Sequence, residues 1–168
     1  MQGVIIRTAE ERDREPVIWI FNHYVTTGFA AYPDKPVPLG FFDLFRDGAL
    51  AFYVAEQEGE VIGFSLMKPF LPFSTFSRTA TVSTFIDPAH RHSGCGTVLL
   101  DAMTNEALLR GVRVLLASIS SKNPDSRAFH KKHGFTECGR FQNVGFKFGE
   151  PFDVIWMEKD LELVPSSE

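Results

Sequence analysis

Between residues 81 and 118 the chain passes from a strand-like run, through a turn rich in glycine, into a long amphipathic helix and then a second strand. No other stretch limits the possible folds as much. Thr81 to Ile86 (TVSTFI) is β-branched and aromatic, and Asp87-Pro88 ends it. Arg91-His92-Ser93-Gly94-Cys95-Gly96 follows. Thr97 to Arg110 then carries Leu99, Leu100, Met103 and Ala107 at helical spacing, with Gly111 placed to stop the helix. Val112 to Ser118 reads as a continuous apolar strand. A strand–glycine loop–helix–strand unit closes by a right-handed crossover, which puts the loop at the carboxyl end of the sheet, where open α/β folds bind ligands. There the glycines allow a tight turn and leave N–H groups free at a helix N-terminus, a site suited to phosphate.

The spacing of the loop narrows the kind of phosphate. A P-loop needs Gly-Lys-Ser/Thr after its glycines, and neither is present. A dinucleotide fingerprint needs a third small residue where Leu99 stands. The pattern R-x-x-G-x-G instead suits the pyrophosphate of an acyl-coenzyme A, met by successive N–H groups and one arginine. In these residues the stretch resembles motif A of the GNAT superfamily of N-acetyltransferases, and the likeness extends through nearly the whole chain. By that resemblance, acetyl-CoA is the cosubstrate. Its contacts would be Phe85 and Ile86 on the strand, then Arg91, His92, Ser93, Gly94, Cys95, Gly96 and Thr97. Cys95 would contribute its backbone N–H rather than a nucleophilic thiol.

The remaining chain reads as one domain over residues 1–163, followed by a short tail at 164–168. Val4 to Arg7 is a first strand. Glu10 to Tyr24 is a helix whose regular part can begin at Pro16. Thr26 to Pro38 is an aromatic loop, and Leu39 to Asp47 a short helix. Ala51 to Gln57 and Val61 to Met67 form a hairpin across Glu58-Gly59-Glu60. Lys68 to Phe76 is an irregular apolar rim, and Arg78 to Ile86 the strand entering the glycine loop. Pro124 to Lys132 is a helix capped by Asn123, and Phe135 to Phe146 and Phe152 to Lys159 are the last strands. The fold class is α/β (α+β): a mixed, mostly antiparallel central sheet flanked by helices. Seventeen phenylalanines promise an aromatic interior. A net charge of −4 without a run of like charges argues against nucleic acid. With no long apolar run and no signal-like N-terminus, the expectation is a cytoplasmic protein with no membrane segment. Two cysteines, Cys95 and Cys138, give neither a disulfide framework nor a zinc site, so no metal is expected.

Two further stretches carry the resemblance. Asn123-Pro124-Asp125-Ser126 through His130 to Gly134-Phe135 is similar to motif B of the superfamily, N-x-x-S-x-x-x-(Tyr/His)-x-x-x-G-(Phe/Tyr). It implies that Asn123 and Ser126 meet the cofactor and that His130 protonates the departing thiolate, a role suited to a group with a pKa of roughly 6.5. Gly145-Phe146-Lys147-Phe148-Gly149 with Asp153-Val154 resembles the C-terminal segment of phosphinothricin and methionine sulfone acetyltransferases, as does Phe21-Asn22-His23-Tyr24-Val25. One position departs. Where these relatives commonly carry a glutamate general base, seven residues before Pro88, this chain has Thr81, which can position a water but cannot take a proton.

The resemblance therefore implies N-acetylation of a small-molecule amine, an amino acid or analogue, by direct attack in a ternary complex. A backbone N–H near Thr84 to Ile86 would polarise the thioester carbonyl. Phe29, Tyr32, Arg78 and Lys147 are the candidate substrate contacts, with Arg78 or Lys68 available for an acidic group. A homodimer joined through the C-terminal strands is also implied. A non-catalytic acyl-CoA sensor, favoured by Thr81, and an acetyltransferase of protein N-termini or lysines remain as alternatives.

Overall fold

The computed structural model describes residues 3–162. Seven strands form one sheet: β1 (Val4–Thr8), β2 (Ala51–Gln57), β3 (Glu60–Pro69), β4 (Thr79–Ile86), β5 (Val114–Ser120), β6 (Thr136–Lys147) and β7 (Glu150–Asp160). Their spatial order is β1-β2-β3-β4-β5-β7-β6, and every neighbouring pair is antiparallel except β4 with β5. The mixed, mostly antiparallel sheet expected from the sequence is the one observed.

Helix α1 (Arg14–Thr27) and the short α2 (Phe41–Arg46) lie over one face of the sheet, and α3 (Cys95–Leu109) over the other. Strand alternation divides the core between them. Phe52 and Val54 of β2 join Phe64 and Leu66 of β3 under α1 and α2, where Val17, Ile20, Phe21 and Phe42 meet them. Ala51, Met67, Ala80 and Val82 face α3, against Leu100, Met103 and Ala107. The β2–β3 register runs Ala55 to Gly63 and then Glu56 to Val61, leaving Ile62 as the extra residue of a β-bulge. Past the bulge the alternation changes phase, so Ile62 packs beneath α3 with Cys95 and Leu99.

Several boundaries differ from the sequence reading for local reasons. A turn of 3-10 helix over Glu11–Asp13 precedes α1, which starts at Arg14 with Pro16 inside its first turn. The first N–H groups of a helix have no intrahelical acceptor, so a proline there forfeits nothing. Helix α3 begins at Cys95 rather than Thr97, which makes Cys95 and Gly96 its first two residues. Strand β5 starts at Val114 rather than Val112, because the Val112 N–H is donated back to Ala107 O at the end of α3. The tail expected at 164–168 lies outside the described residues. Leu161 itself is buried and donates its N–H to Arg113 O. Among the described residues no helix is long and apolar enough to cross a membrane.

The decisive feature lies at the centre of the sheet. Strand β4 stays paired with β3 along its length, from Ala80 opposite Pro69 to Ile86 opposite Gly63. Strand β5 likewise follows β7 from Val114 to Ser120. Yet β4 and β5 pair only from Thr79 opposite Val114 to Thr81 opposite Leu116. Beyond Thr81 the strands diverge, so the β5-facing edge of Val82–Ile86 has no strand partner and a cleft opens.

Candidate active site

The cleft leads into a cavity of about 870 Å³, walled by β4 from Val82 to Ile86, β5 from Ala117 to Ser120, the glycine loop, and α4 (Pro124–Lys132). The loop is built by local chemistry. Asp87 accepts from the Ala89 N–H and caps a turn of 3-10 helix over Pro88–His90. His92 and Gly94 then take positive φ values, 61° and 91°, and α3 starts.

The two glycines serve different needs. A Cβ at Gly94 would meet nothing, so what fixes glycine there is its left-handed backbone. A Cβ at Gly96 would lie 3.3 Å from the Phe129 ring, so what fixes glycine there is the close approach of α4. A third close approach, at Gly63, holds Cys95 in place: a Cβ there would lie 2.8 Å from Ile86 Cδ1 and 3.3 Å from Cys95 Sγ. The Cys95 thiol is buried, and burial pushes its pKa up to about 11. It is a packing residue and not a nucleophile, and its N–H, at the start of α3, donates to Ser93 Oγ at 3.4 Å.

Most of the cofactor residues named from sequence meet on this wall: Phe85, Ile86, Arg91, His92, Gly94, Cys95, Gly96, Thr97, Asn123, Ser126 and His130. Ser93 does not, because its hydroxyl is turned to donate to His90 O. Arg91 is already paired with Asp125 at 2.8 Å, which joins the loop to the first turn of α4. Asn123 caps that helix by accepting the Ser126 N–H. At the other end of α4, His133 donates from Nδ1 to Phe129 O and accepts at Nε2 from the Thr97 hydroxyl.

His130 is a buried titratable group of the wall. Its Nδ1 lies 2.7 Å from Ser126 O. A carbonyl oxygen only accepts, so Nδ1 holds the proton and neutral His130 is left with a lone pair at Nε2. Burial lowers its pKa, outweighing the bond to Ser126 O, and the ring packs edge-on to Phe129 and Phe135. Thr81 stands at the last β4–β5 pair with its hydroxyl 3.5 Å from Lys68 O, and it is not on the cavity wall.

Of the substrate candidates, the structure brings Tyr32 to the wall and leaves the others off it. Arg78, at the far end of β4, pairs with Glu162. Lys147 is buried, and its Nζ donates to Gly28 O and Ala31 O, both at 2.8 Å. Burial lowers its pKa. Phe29 packs edge-on against Phe148 and Phe152. Lys147 and Phe29 thus fasten the 28–32 loop to the β6–β7 hairpin, which positions Tyr32, stacked on Phe152 and hydrogen-bonded to Ser118. Gly145 belongs to the same device, since a Cβ there would fall 2.1 Å from the Phe152 ring.

The sequence reading missed Tyr24 and the aromatic wall beside it. The Tyr24 hydroxyl donates to Ile86 O at 2.5 Å and fixes the end of β4 to α1. Burial raises its pKa, which keeps it a donor. Phe85 stacks on Phe64 and meets Phe21 edge-on, and Phe41 and Phe45 continue the cluster. The signal lay in Phe21-Asn22-His23-Tyr24-Val25. Its Asn22 exchanges two hydrogen bonds with Val37 and holds the other end of the same loop.

Comparison with known proteins agrees with this geometry. Residues 17–135 match the Acetyltransferase (GNAT) family. The chain is 31% identical over 168 residues to an L-methionine sulfoximine/L-methionine sulfone acetyltransferase of Salmonella typhimurium, covering 94% of each chain. It superposes with a TM-score of 0.86 and 35% identity on a ribosomal-protein-alanine N-acetyltransferase from Brucella melitensis, covering 93% of this chain and 99% of that one. A phosphinothricin acetyltransferase from Sinorhizobium meliloti, solved in complex with acetyl-CoA, superposes with a TM-score of 0.88 at 25% identity over 99% of this chain and 93% of its own. A splayed strand pair, a helix N-terminus beyond a glycine loop, and relatives that acetylate nitrogen all lead to one assignment: the chain belongs to the GNAT family of acetyltransferases.

Proposed function

We propose that the protein transfers the acetyl group of acetyl-CoA to the amine of a small molecule by direct attack in a ternary complex. The observation that carries this reading is the gap between β4 and β5, bordered by the N-terminal turn of α3 and by the buried His130. These residues fit acetyl-CoA: an anion-binding helix N-terminus for its phosphates, and an unpaired strand edge for the amide-bearing pantetheine arm. When bound, acetyl-CoA supplies an activated acyl group as a thioester. The unpaired β4 edge offers a backbone N–H to the carbonyl oxygen, as an oxyanion hole does. His130 handles protons at Nε2. Neutral at rest, it takes the proton released as the amine attacks and returns it to the departing thiolate. Thr81 contributes no base. An amine with a pKa near 8 is already neutral in roughly a tenth of its molecules at pH 7, so the first step needs none to begin.

The relatives' names make amino acids and their phosphinothricin- or methionine-sulfone-type analogues the nearest acceptors by analogy. The likeness to a ribosomal-protein-alanine acetyltransferase favours a protein N-terminus as a second reading. Thiol release from acetyl-CoA, measured with amines and one alanine-initiated peptide, tests the function. Turnover on an amine is expected. Binding without turnover on any acceptor would leave the acyl-CoA sensor in its place.

We also propose a homodimer joined through β6. This strand is the sheet edge and is exposed along most of its length, with Phe141, Val144 and Phe146 facing solvent. Long apolar edges of this kind are ordinarily covered. Sedimentation should give twice the monomer mass, and Phe146→Glu should reduce it. A monomeric parent protein would exclude the dimer.

A further inference from the structure

The acceptor end of the cavity lacks what a free amino acid needs. Where α1, α2 and β3 meet β4, the wall is made by Phe21, Phe41, Phe45, Phe64, Leu66 and Phe85. Among the described residues, no charged side chain lines that end. The arginine and lysine on the cavity wall, Arg91 and Lys132, belong to the glycine loop and α4, where phosphates are expected. The carboxylate on the wall, Asp125, is engaged by Arg91.

The cations that the sequence offered for an acidic group are committed elsewhere. Lys68 Nζ donates to Leu44 O and Asp47 O, closing the C-terminal end of α2. Arg78 pairs with Glu162, and Lys147 holds two loop carbonyls. A carboxylate entering the aromatic end would give up its hydration with no cation or aligned donor to replace it. A hydrocarbon tail there is removed from water and gains. Without a carboxylate at that end to hold an ammonium or take its proton, the amine must enter neutral; an alkylamine with a pKa near 10 is neutral in about a thousandth of its molecules at pH 7, so its turnover should rise with pH.

Resting on the acetyl-transfer reading, we propose that the acceptor is an apolar primary amine with an aromatic or aliphatic hydrocarbon tail and no carboxylate, rather than a zwitterionic amino acid. Thiol release with matched pairs tests this: phenethylamine against phenylalanine, and isoamylamine against leucine. The amine of each pair should exceed its amino acid in kcat/KM by at least about tenfold. Phe45→Ala should raise KM for phenethylamine about tenfold and leave acetyl-CoA affinity unmoved. Equal or better turnover of the amino acids would overturn the inference and leave the acetyltransferase standing. If no acceptor turns over while acetyl-CoA still binds, the acetyl-transfer reading fails. Calorimetry on the CoA-saturated protein then decides the acceptor class alone: phenethylamine binding more tightly than phenylalanine supports it, and equal or weaker binding overturns it.

Discussion

His130→Phe is expected to lower kcat by about 10²–10⁴-fold, the usual worth of a positioned acid–base group, while acetyl-CoA affinity changes far less. The substitution keeps an aromatic ring between Phe129 and Phe135, so packing survives and what is lost is the Nδ1 contact with Ser126 O and Ser126 Oγ, about 1 kcal/mol. Two pH signatures separate a chemical role from a structural one. The parent's rate should fall on acidification both as Nε2 becomes protonated and as the amine does, and the variant should keep only the fall that belongs to the amine. For stability, the folded pKa of His130 is lowered, so the unfolded chain binds this proton at the higher pH. His130 therefore costs nothing above the unfolded value of about 6.5, and it destabilises the fold as pH drops below that value. The variant's acid unfolding should shift to lower pH. Unchanged turnover in His130→Phe would remove the residue from the mechanism.

Gly94→Val should raise the acetyl-CoA Kd by at least about tenfold. Valine at a φ of +91° is a severe backbone outlier, costing roughly 1–3 kcal/mol. Open space around the position means that no neighbour resists a flip of the loop. Relief by such a flip turns the first N–H groups of α3 away from the phosphates, so the strain appears as lost affinity. Calorimetric titration with acetyl-CoA checks this; an affinity within experimental error of the parent would show that the loop does not bind phosphate.

The glycine loop could be read from sequence because its cause is local: Asp87-Pro88 ends a strand, positive φ needs glycine, and apolar spacing declares the helix. Asn123 was legible as a cap for the same reason. Lys147 was not. The sequence offered it as a substrate contact, and only the fold shows Gly28 O and Ala31 O waiting for it more than a hundred residues away. Arg78 differs in the same way, since basicity suggested a substrate contact and the strand's direction put it at the end of β4 away from the cavity, paired with Glu162. The divergence of β4 from β5 has no signature in either strand, because both are apolar, β-branched runs whether or not they pair. It emerges from β5 following β7.

The fastening of the 28–32 loop by Lys147 and Phe152 also orders events during synthesis. The residues of the cofactor wall, from Phe85 to His133, are all made before the β6–β7 hairpin, although β5 finds its partner strand only when β7 arrives. The acceptor wall contains Tyr32, made early, but its support is made nearly last. The growing chain thus holds every residue of the coenzyme wall before it holds the hairpin that supports the acceptor wall. The loop-closure entropy of a contact spanning 116 residues is met at the end of translation, when the β6–β7 hairpin arrives.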